Sequence, residues 1–179
     1  MSEEKKSKKK KTRVIRAIII GVVLCPLGIG IFFGYKFLLI SWVAGDSREK
    51  RLYALQSDVL TQGNLSDSVL EKAVKKGSTV EEKKLLCIHL AYASPPFSCL
   101  TLSEYIIEDN ASLRKKAGPC LYLAILYASD SYKISKESLD LIEKRLIKSL
   151  EIDDIKYSHE GSGIGDREDA LNMIQKMKE

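Results

Sequence analysis

Residues 17–35 have the sequence AIIIGVVLCPLGIGIFFGY, nineteen positions without a charged side chain. As a helix this stretch spans about 28 Å at ~1.5 Å per residue, close to the ~30 Å hydrocarbon core of a bilayer. A helix of a small soluble domain is usually apolar on one face, whereas this one would be apolar on every face. The stretch therefore predicts a transmembrane helix and its interfacial extension at residues 17–43.

Basic residues are concentrated ahead of this stretch. Residues 1–16 contain eight Lys and Arg, whereas residues 36–60 contain four. The end of a span that carries more positive charge usually stays in the cytoplasm. The sequence therefore predicts a single-pass membrane protein with a basic cytoplasmic tail at 1–16. The C-terminal domain is then exoplasmic, meaning periplasmic, extracellular or luminal.

A cleaved signal peptide is the main alternative to a retained membrane helix. The apolar stretch is longer than the roughly 7–15 residues of a signal-peptide core, which favours an uncleaved signal anchor. The small residues of Val43-Ala44-Gly45 leave cleavage open.

Two glycines inside the stretch have the spacing of a helix-pairing motif. Gly30 and Gly34 form GxxxG. Small residues at this spacing let the backbone of a second membrane helix approach closely. They are the candidate helix-pairing residues, with a second copy of this chain as one candidate partner.

Residues 46–179 have a different charge balance from the tail. They contain 20 Lys and Arg against 22 Asp and Glu, so the excess of positive charge that gives the whole chain its +5 lies in the N-terminal segment. A nucleic-acid-binding domain would carry its positive charge on the folded part, so nucleic acid is not a predicted partner. The length suits one domain with its own core.

Helical periodicity and capping signals cover residues 46–179, and no convincing strand appears. The sequence predicts an all-α exoplasmic domain of about six helices. Predicted helix starts include Asp46, Ser68, Thr79, Thr101, Asn110, Ser135 and Asp166. Gly118-Pro119 is predicted to interrupt the helical pattern, with Pro119 as the first residue of a new helix from Cys120 to Ala128.

A weak internal similarity recurs at an offset of 35 residues. The segment 90–94, LAYAS, resembles the segment 125–129, ILYAS, and predicted helix starts at Ser66, Thr101 and Lys136 share the same offset. A period of this size is typical of stacked helical hairpins of the tetratricopeptide type. The glycine, alanine and proline pattern of that family is not legible, so the prediction concerns the architecture and not family membership.

The four cysteines do not form a disulfide framework. They lie at positions 25, 87, 99 and 120 without paired spacing. The thiols of the domain are expected to be free and buried, since unpaired cysteine behaves as a small hydrophobe. A bridge between Cys99 and Cys120 is left open.

No catalytic, cofactor-binding or metal-binding residue is predicted. Cys87 and His89 are two residues apart on a predicted helix, so their side chains diverge and cannot hold one metal ion. His159 has no second ligand nearby in sequence. The glycine-rich segment 161–165 lacks the preceding strand and the lysine of a phosphate-binding loop.

The absence of such motifs favours a non-enzymatic function. The expected protein is an adaptor or accessory subunit that presents a helical surface to other proteins at a membrane. Tyrosine rings offer large contact area at low entropic cost, and the candidate partner-binding residues are Tyr92, Tyr105, Tyr122 and Tyr127. The alternatives are a helical enzyme or ligand-binding domain with a site not visible in sequence, and an inhibitor or immunity-type membrane protein.

Overall fold

The computed structural model describes residues 29–60, 65–131, 134–152 and 166–179, and these are entirely helical or irregular, without a strand. The all-α prediction is therefore confirmed for this part of the chain. Residues 29–43 are helical and are called α1. The other helices are α2 (Arg48–Leu55), α3 (Asp67–Lys76), α4 (Val80–Leu90), α5 (Phe97–Tyr105), α6 (Ala111–Ser131), α7 (Lys136–Ile152) and α8 (Arg167–Lys178).

The chain divides into two units, Met1–Leu39 and Ile40–Glu179. Of the first unit, residues 29–39 are described, and they belong to α1. No helix among the described residues is both long and apolar enough to cross a membrane. Residues 17–28 of the predicted span lie outside the described residues, so the transmembrane helix stays a prediction.

Helices of the second unit pack mainly against their neighbours in sequence. Contacts join α3 with α4, α5 with α6, and α7 with α8. The second members of these pairs also touch in series, α4 with α6 and α6 with α8, while α5 contacts α7. Seven helices follow α1 in the described chain, one more than about six expected from periodicity.

The core is centred on α4 and α6. On α4, Leu86, Cys87 and Leu90 are fully buried, as expected for a helix that is apolar nearly all round. On α6, Leu121 and Ile125 are equally inaccessible. Complete burial of each such aliphatic side chain contributes about 1.5–3 kcal/mol, so these two helices hold the domain together.

Several predicted helix starts are confirmed by capping hydrogen bonds. Thr79 forms a capping box with Glu82, and Asp166 forms one with Asp169. The amide of Leu113 donates to Oδ1 of Asn110 at 3.0 Å.

Two predicted starts were wrong. Ser47 caps α2 in place of the preceding residue Asp46, and α5 begins at Phe97 instead of at Thr101. Of the two residues predicted to start α3, Ser66 and Ser68, it is Ser66 that precedes the helix. Adjacent polar residues such as Asp46 and Ser47 can each serve as a cap, so the sequence alone does not distinguish them.

The predicted break at Pro119 is also wrong, because α6 continues through it as one helix of 21 residues. A proline inside a helix costs about 3 kcal/mol. Buried side chains on both sides of Pro119, among them Leu113 and Leu121, outweigh that cost. Gly118 allows close packing with α8, since a Cβ there would lie 3.3 Å from Cγ of Arg167.

A buried ion pair fastens the start of the second unit to α4. The Arg51 guanidinium donates to Oε1 of Glu82 at 2.8 and 3.0 Å, and both side chains are nearly inaccessible. It also donates to the carbonyl oxygens of Gly45 and Asp46, each at 2.9 Å. The segment between α1 and α2 is thereby held against the domain.

Candidate functional site

The four candidate tyrosines differ in exposure. Tyr92 and Tyr127 are exposed, at 45% and 44%, and Tyr122 is half-buried. Tyr105 is 3% exposed, and its ring packs in the core with Nζ of Lys83 at 5.5 Å from the ring centre. Tyr105 is therefore a core residue, and its prediction as a surface residue is wrong because its side of α5 faces inward.

The two similar segments found in the sequence have related environments. Leu90 and Ile125 are fully buried, and two positions later Tyr92 and Tyr127 are exposed to almost the same degree. Ala93 and Ala128 are again buried. The similarity therefore reflects the same order of buried and exposed side chains, which occurs at the end of α4 and within α6. The helix starts do not keep the offset of 35, since α5 begins at Phe97.

An apolar strip on α6 is the larger of two candidate contact surfaces. Tyr122 and Leu123 are half-buried, while Leu126 and Tyr127 are 39% and 44% exposed. Spacings of three and four residues place these side chains on one side of the helix. We call Tyr122, Leu123, Leu126 and Tyr127 the α6 face. The sequence predicts its two tyrosines as contact residues but not its two leucines, because a leucine in a helix more often lies in the core.

A second surface of this kind lies on α4. Leu85 and Ile88 are half-buried, and Tyr92 follows in the turn where its amide donates to the carbonyl oxygen of His89 at 3.3 Å. The spacing of three residues aligns Leu85 and Ile88 on one side of α4. We call Leu85, Ile88 and Tyr92 the α4 face.

A cleft of about 610 Å³ opens beside the α4 face. Its lining is half apolar and half polar, consisting of Leu55, Gln56, Ser57, Asp58, Leu60, Leu85, Ile88 and His89. This volume is within the range of small-molecule sites, which run from about 300 to 1,000 Å³. The cleft is thus able to receive a small molecule or the side chains of a partner.

His89 is the titratable group of interest in the cleft. Its side chain is 5% exposed, and Nδ1 has no hydrogen-bond partner among the described residues. Burial lowers the pKa of His89 below its ordinary value of 6.5. The ring is therefore neutral at pH 7, with Nδ1 able to accept a hydrogen bond.

The remaining candidates for chemistry are not brought together. Within the described ranges, no group of three His, Cys, Asp or Glu side chains is placed to hold a metal ion. Cys87 and His89 are buried two residues apart on α4. His159 and the segment 161–165 lie outside the described residues.

Gly30 and Gly34 lie on an open part of α1. A Cβ built at either glycine meets no atom within 4 Å. Large apolar side chains around them are exposed, with Ile31 at 72%, Phe33 at 63% and Phe37 at 75%. This surface has the composition of one that contacts lipid or another helix.

Comparisons with protein-family models, curated proteins and solved structures returned no match to this chain.

Proposed function

We propose that this protein is a single-pass membrane-anchored adaptor or accessory subunit that binds another protein through its helical exoplasmic domain. The observation that carries the proposal is the α6 face, where two tyrosine and two leucine side chains remain accessible on the helix that otherwise forms the core. Aromatic and leucine side chains at helical spacing suit a partner helix laid along such a strip.

Membrane attachment is supported by the apolar run at 17–35 and by a contact between an aromatic side chain at the end of α1 and one on α2. The rings of Trp42 and Tyr53 meet edge to face at 5.9 Å between centroids, and Nζ of Lys50 lies 5.7 Å from the Trp42 ring. Tryptophan, tyrosine and lysine are the residues that collect at the membrane–water interface. The basic tail at 1–16 then stays in the cytoplasm.

The order of helix contacts supports a stack of three helical hairpins, α3–α4, α5–α6 and α7–α8. Each second helix contacts the second helix of the next pair, as in tetratricopeptide-like arrays. The hairpins have unequal lengths, since α6 has 21 residues and α5 has 9. An array of this kind offers an extended surface for a peptide or a helix.

The test is site-specific crosslinking in native membranes. A photoreactive residue at position 126 should capture a defined partner, and a photoreactive residue at position 141 should not. The double variant Leu126→Ala/Tyr127→Ala should abolish capture by a probe at position 92. The matched control is Leu141→Ala/Ile147→Ala, which removes two side chains from α7 that are 41% and 44% exposed. Equal capture in both double variants would contradict the proposal.

A second candidate function, binding or turnover of a small molecule, is favoured by the cleft beside His89. A ligand with an apolar body would complement the four aliphatic lining residues. Turnover or binding of a small molecule that is lost in His89→Gln but kept in Leu126→Ala/Tyr127→Ala would favour this function over the adaptor.

A further inference from the structure

Two opposite charges flank the α6 face along its helix. Lys116 lies six residues before Tyr122, and Asp130 lies three residues after Tyr127. Both charged side chains are exposed, and neither forms an ion pair with a residue that the structure describes. Oδ1 of Asp130 is 3.5 Å from Oγ of the adjacent Ser129. The two charges are therefore open to a partner at either end of the α6 face.

The helical repeat aligns these charges with the middle of the α6 face. Lys116, Leu123 and Asp130 are spaced by seven residues, which is almost two turns of an α-helix, so their side chains project from the same side. Leu123 lies midway, about 10 Å along the axis from each charged residue. The exposed side of α6 therefore runs from basic through apolar to acidic.

We propose that the α6 face binds the α6 face of a second copy of this chain, with the two helices antiparallel about a two-fold axis near Leu123. In this arrangement the apolar side chains of the two copies meet at the centre, and Lys116 of each copy lies beside Asp130 of the other. The inference rests on the proposed function, because it names the partner of the same surface.

The order of charges along α6 favours this arrangement over a parallel pair. A two-fold interface joins one surface to itself, so a surface with opposite charges at its two ends complements its own antiparallel copy. A parallel pair would place Lys116 beside Lys116 and Asp130 beside Asp130, and like charges repel each other. Burial of the tyrosine and leucine side chains supplies the attraction, and the charges determine the direction of the helices.

The contact surface is short, since Lys116 and Asp130 are about 21 Å apart along the helix at ~1.5 Å per residue. A surface of this length is smaller than a standard protein interface, so the pair should be weak in dilute solution. Copies held in one membrane by the proposed anchor meet at a much higher effective concentration. We therefore expect the pair to form in membranes.

Cysteine crosslinking of the full-length protein in membranes tests the antiparallel arrangement. Two differently tagged copies are co-expressed, one with Lys116→Cys and one with Asp130→Cys, and both carry Cys25→Ser to remove the thiol of the predicted membrane helix. Oxidation with copper phenanthroline should link the two tags in one disulfide-bonded dimer. The native thiols of the domain are free and buried and should not compete; they are Cys87, Cys99 and Cys120.

Each cysteine variant expressed alone should stay mostly monomeric, because antiparallel pairing keeps identical positions about 20 Å apart. The matched control replaces Lys116→Cys by Lys144→Cys, which changes an exposed lysine of α7, and should give no linked dimer. A mixture that gives no linked dimer would overturn the proposal. A dimer formed by Lys116→Cys alone would show parallel pairing and would also overturn it.

Charge reversal gives a second test, read as Förster transfer between copies that carry a donor or an acceptor at the C-terminus. All variants contain Gly30→Ile/Gly34→Ile, so pairing of α1 does not contribute. Lys116→Glu or Asp130→Lys alone should weaken self-association about tenfold, because two attractive pairs become repulsive. Lys116→Glu/Asp130→Lys exchanges the two charges and should restore the transfer, whereas Lys144→Glu should leave it unchanged. A double variant that stays as weak as the single variants would contradict the pairing of Lys116 with Asp130.

Self-pairing and the adaptor function can fail separately. If the photoreactive residue at position 126 captures a different protein and no second copy, the adaptor function holds and self-pairing is wrong. If the mixed cysteine variants give the linked dimer but no other protein is captured, self-pairing holds and the adaptor function is wrong.

Discussion

Arg51 shows how one buried charge organises its surroundings. Its guanidinium bonds to Glu82 and to the carbonyl oxygens of Gly45 and Asp46. Burial alone would raise the pKa of Glu82, but hydrogen bonds from Thr79 and Arg51 hold it below its usual value. The pair is therefore ionised, and its stabilising effect depends on both partners being present.

We expect Arg51→Met to lower the free energy of unfolding by about 3–5 kcal/mol, because it leaves the Glu82 carboxylate buried without its cation. Chemical denaturation measures the change. The double variant Arg51→Met/Glu82→Met should recover part of the loss, since it removes both charges. The control Lys178→Met breaks an exposed ion pair with Asp140 and should change stability little. A small effect of Arg51→Met alone would contradict the buried-pair interpretation.

The lowered pKa of His89 predicts that the free energy of unfolding depends on pH. Burial depresses its pKa in the folded state, so the unfolded state binds a proton more readily once the pH falls below about 6.5. Its contribution to stability is therefore complete above that pH and is lost as the pH falls towards the folded pKa. In His89→Gln the free energy of unfolding should fall less between pH 7 and pH 5, by at most about 1.4 kcal/mol per pH unit. Identical slopes for the two proteins would show that His89 does not titrate on unfolding.

Among the helices, α6 is the one whose local sequence disfavours a continuous helix that the tertiary packing nevertheless maintains. Pro119 lies in its middle, yet the helix runs from Ala111 to Ser131. We expect Pro119→Ala to raise the free energy of unfolding by about 2 kcal/mol, the interior proline penalty less the restriction that proline places on the unfolded chain. Chemical denaturation measures the free energy of unfolding, and far-ultraviolet circular dichroism measures the helix content. Lower stability would mean that packing of α6 requires the proline.

The glycines of α1 predict that the proposed membrane helix self-associates. Both face open space, so a bulky side chain at either should be tolerated in the monomer. The double variant Gly30→Ile/Gly34→Ile should reduce dimer signal in a membrane two-hybrid reporter, because the backbones can no longer approach closely. Ile31→Leu keeps the volume of a neighbouring residue and serves as the control. Equal signal from the double variant and wild type would exclude GxxxG pairing.

At the scale of the whole molecule, the charge bias predicts the orientation in the membrane. A reporter that is active only outside the cytoplasm, fused after Glu179, should give signal. Replacing Lys8, Lys9, Lys10 and Lys11 by glutamine should weaken this orientation, because it removes half of the eight basic residues in the tail. If only a reporter that requires the cytoplasm is active at the same position, the C-terminal domain is cytoplasmic and the predicted compartment is wrong.

The helical class and several helix starts were predictable because they depend on local interactions. The capping boxes of Thr79 and Asp166 are short-range hydrogen bonds within one helical turn, so they are legible in sequence. The path through Pro119 was not predictable, because a local penalty is outweighed by contacts with distant residues. The burial of Tyr105 was not predictable for the same reason. Contacts with distant residues decide that Tyr105 faces inward, whereas Tyr92 is exposed.

The sequence by itself determined that the domain is of the all-α class, as the described residues beyond 45 are, that the positive charge lies in the N-terminal tail and that the chain carries no recognisable catalytic motif. Periodicity, charge and capping are properties of neighbouring residues, so they need no coordinates. Only the tertiary structure decided which tyrosines are exposed and that His89 borders a cleft. These features depend on which helices pack together, and packing joins residues that are far apart in sequence.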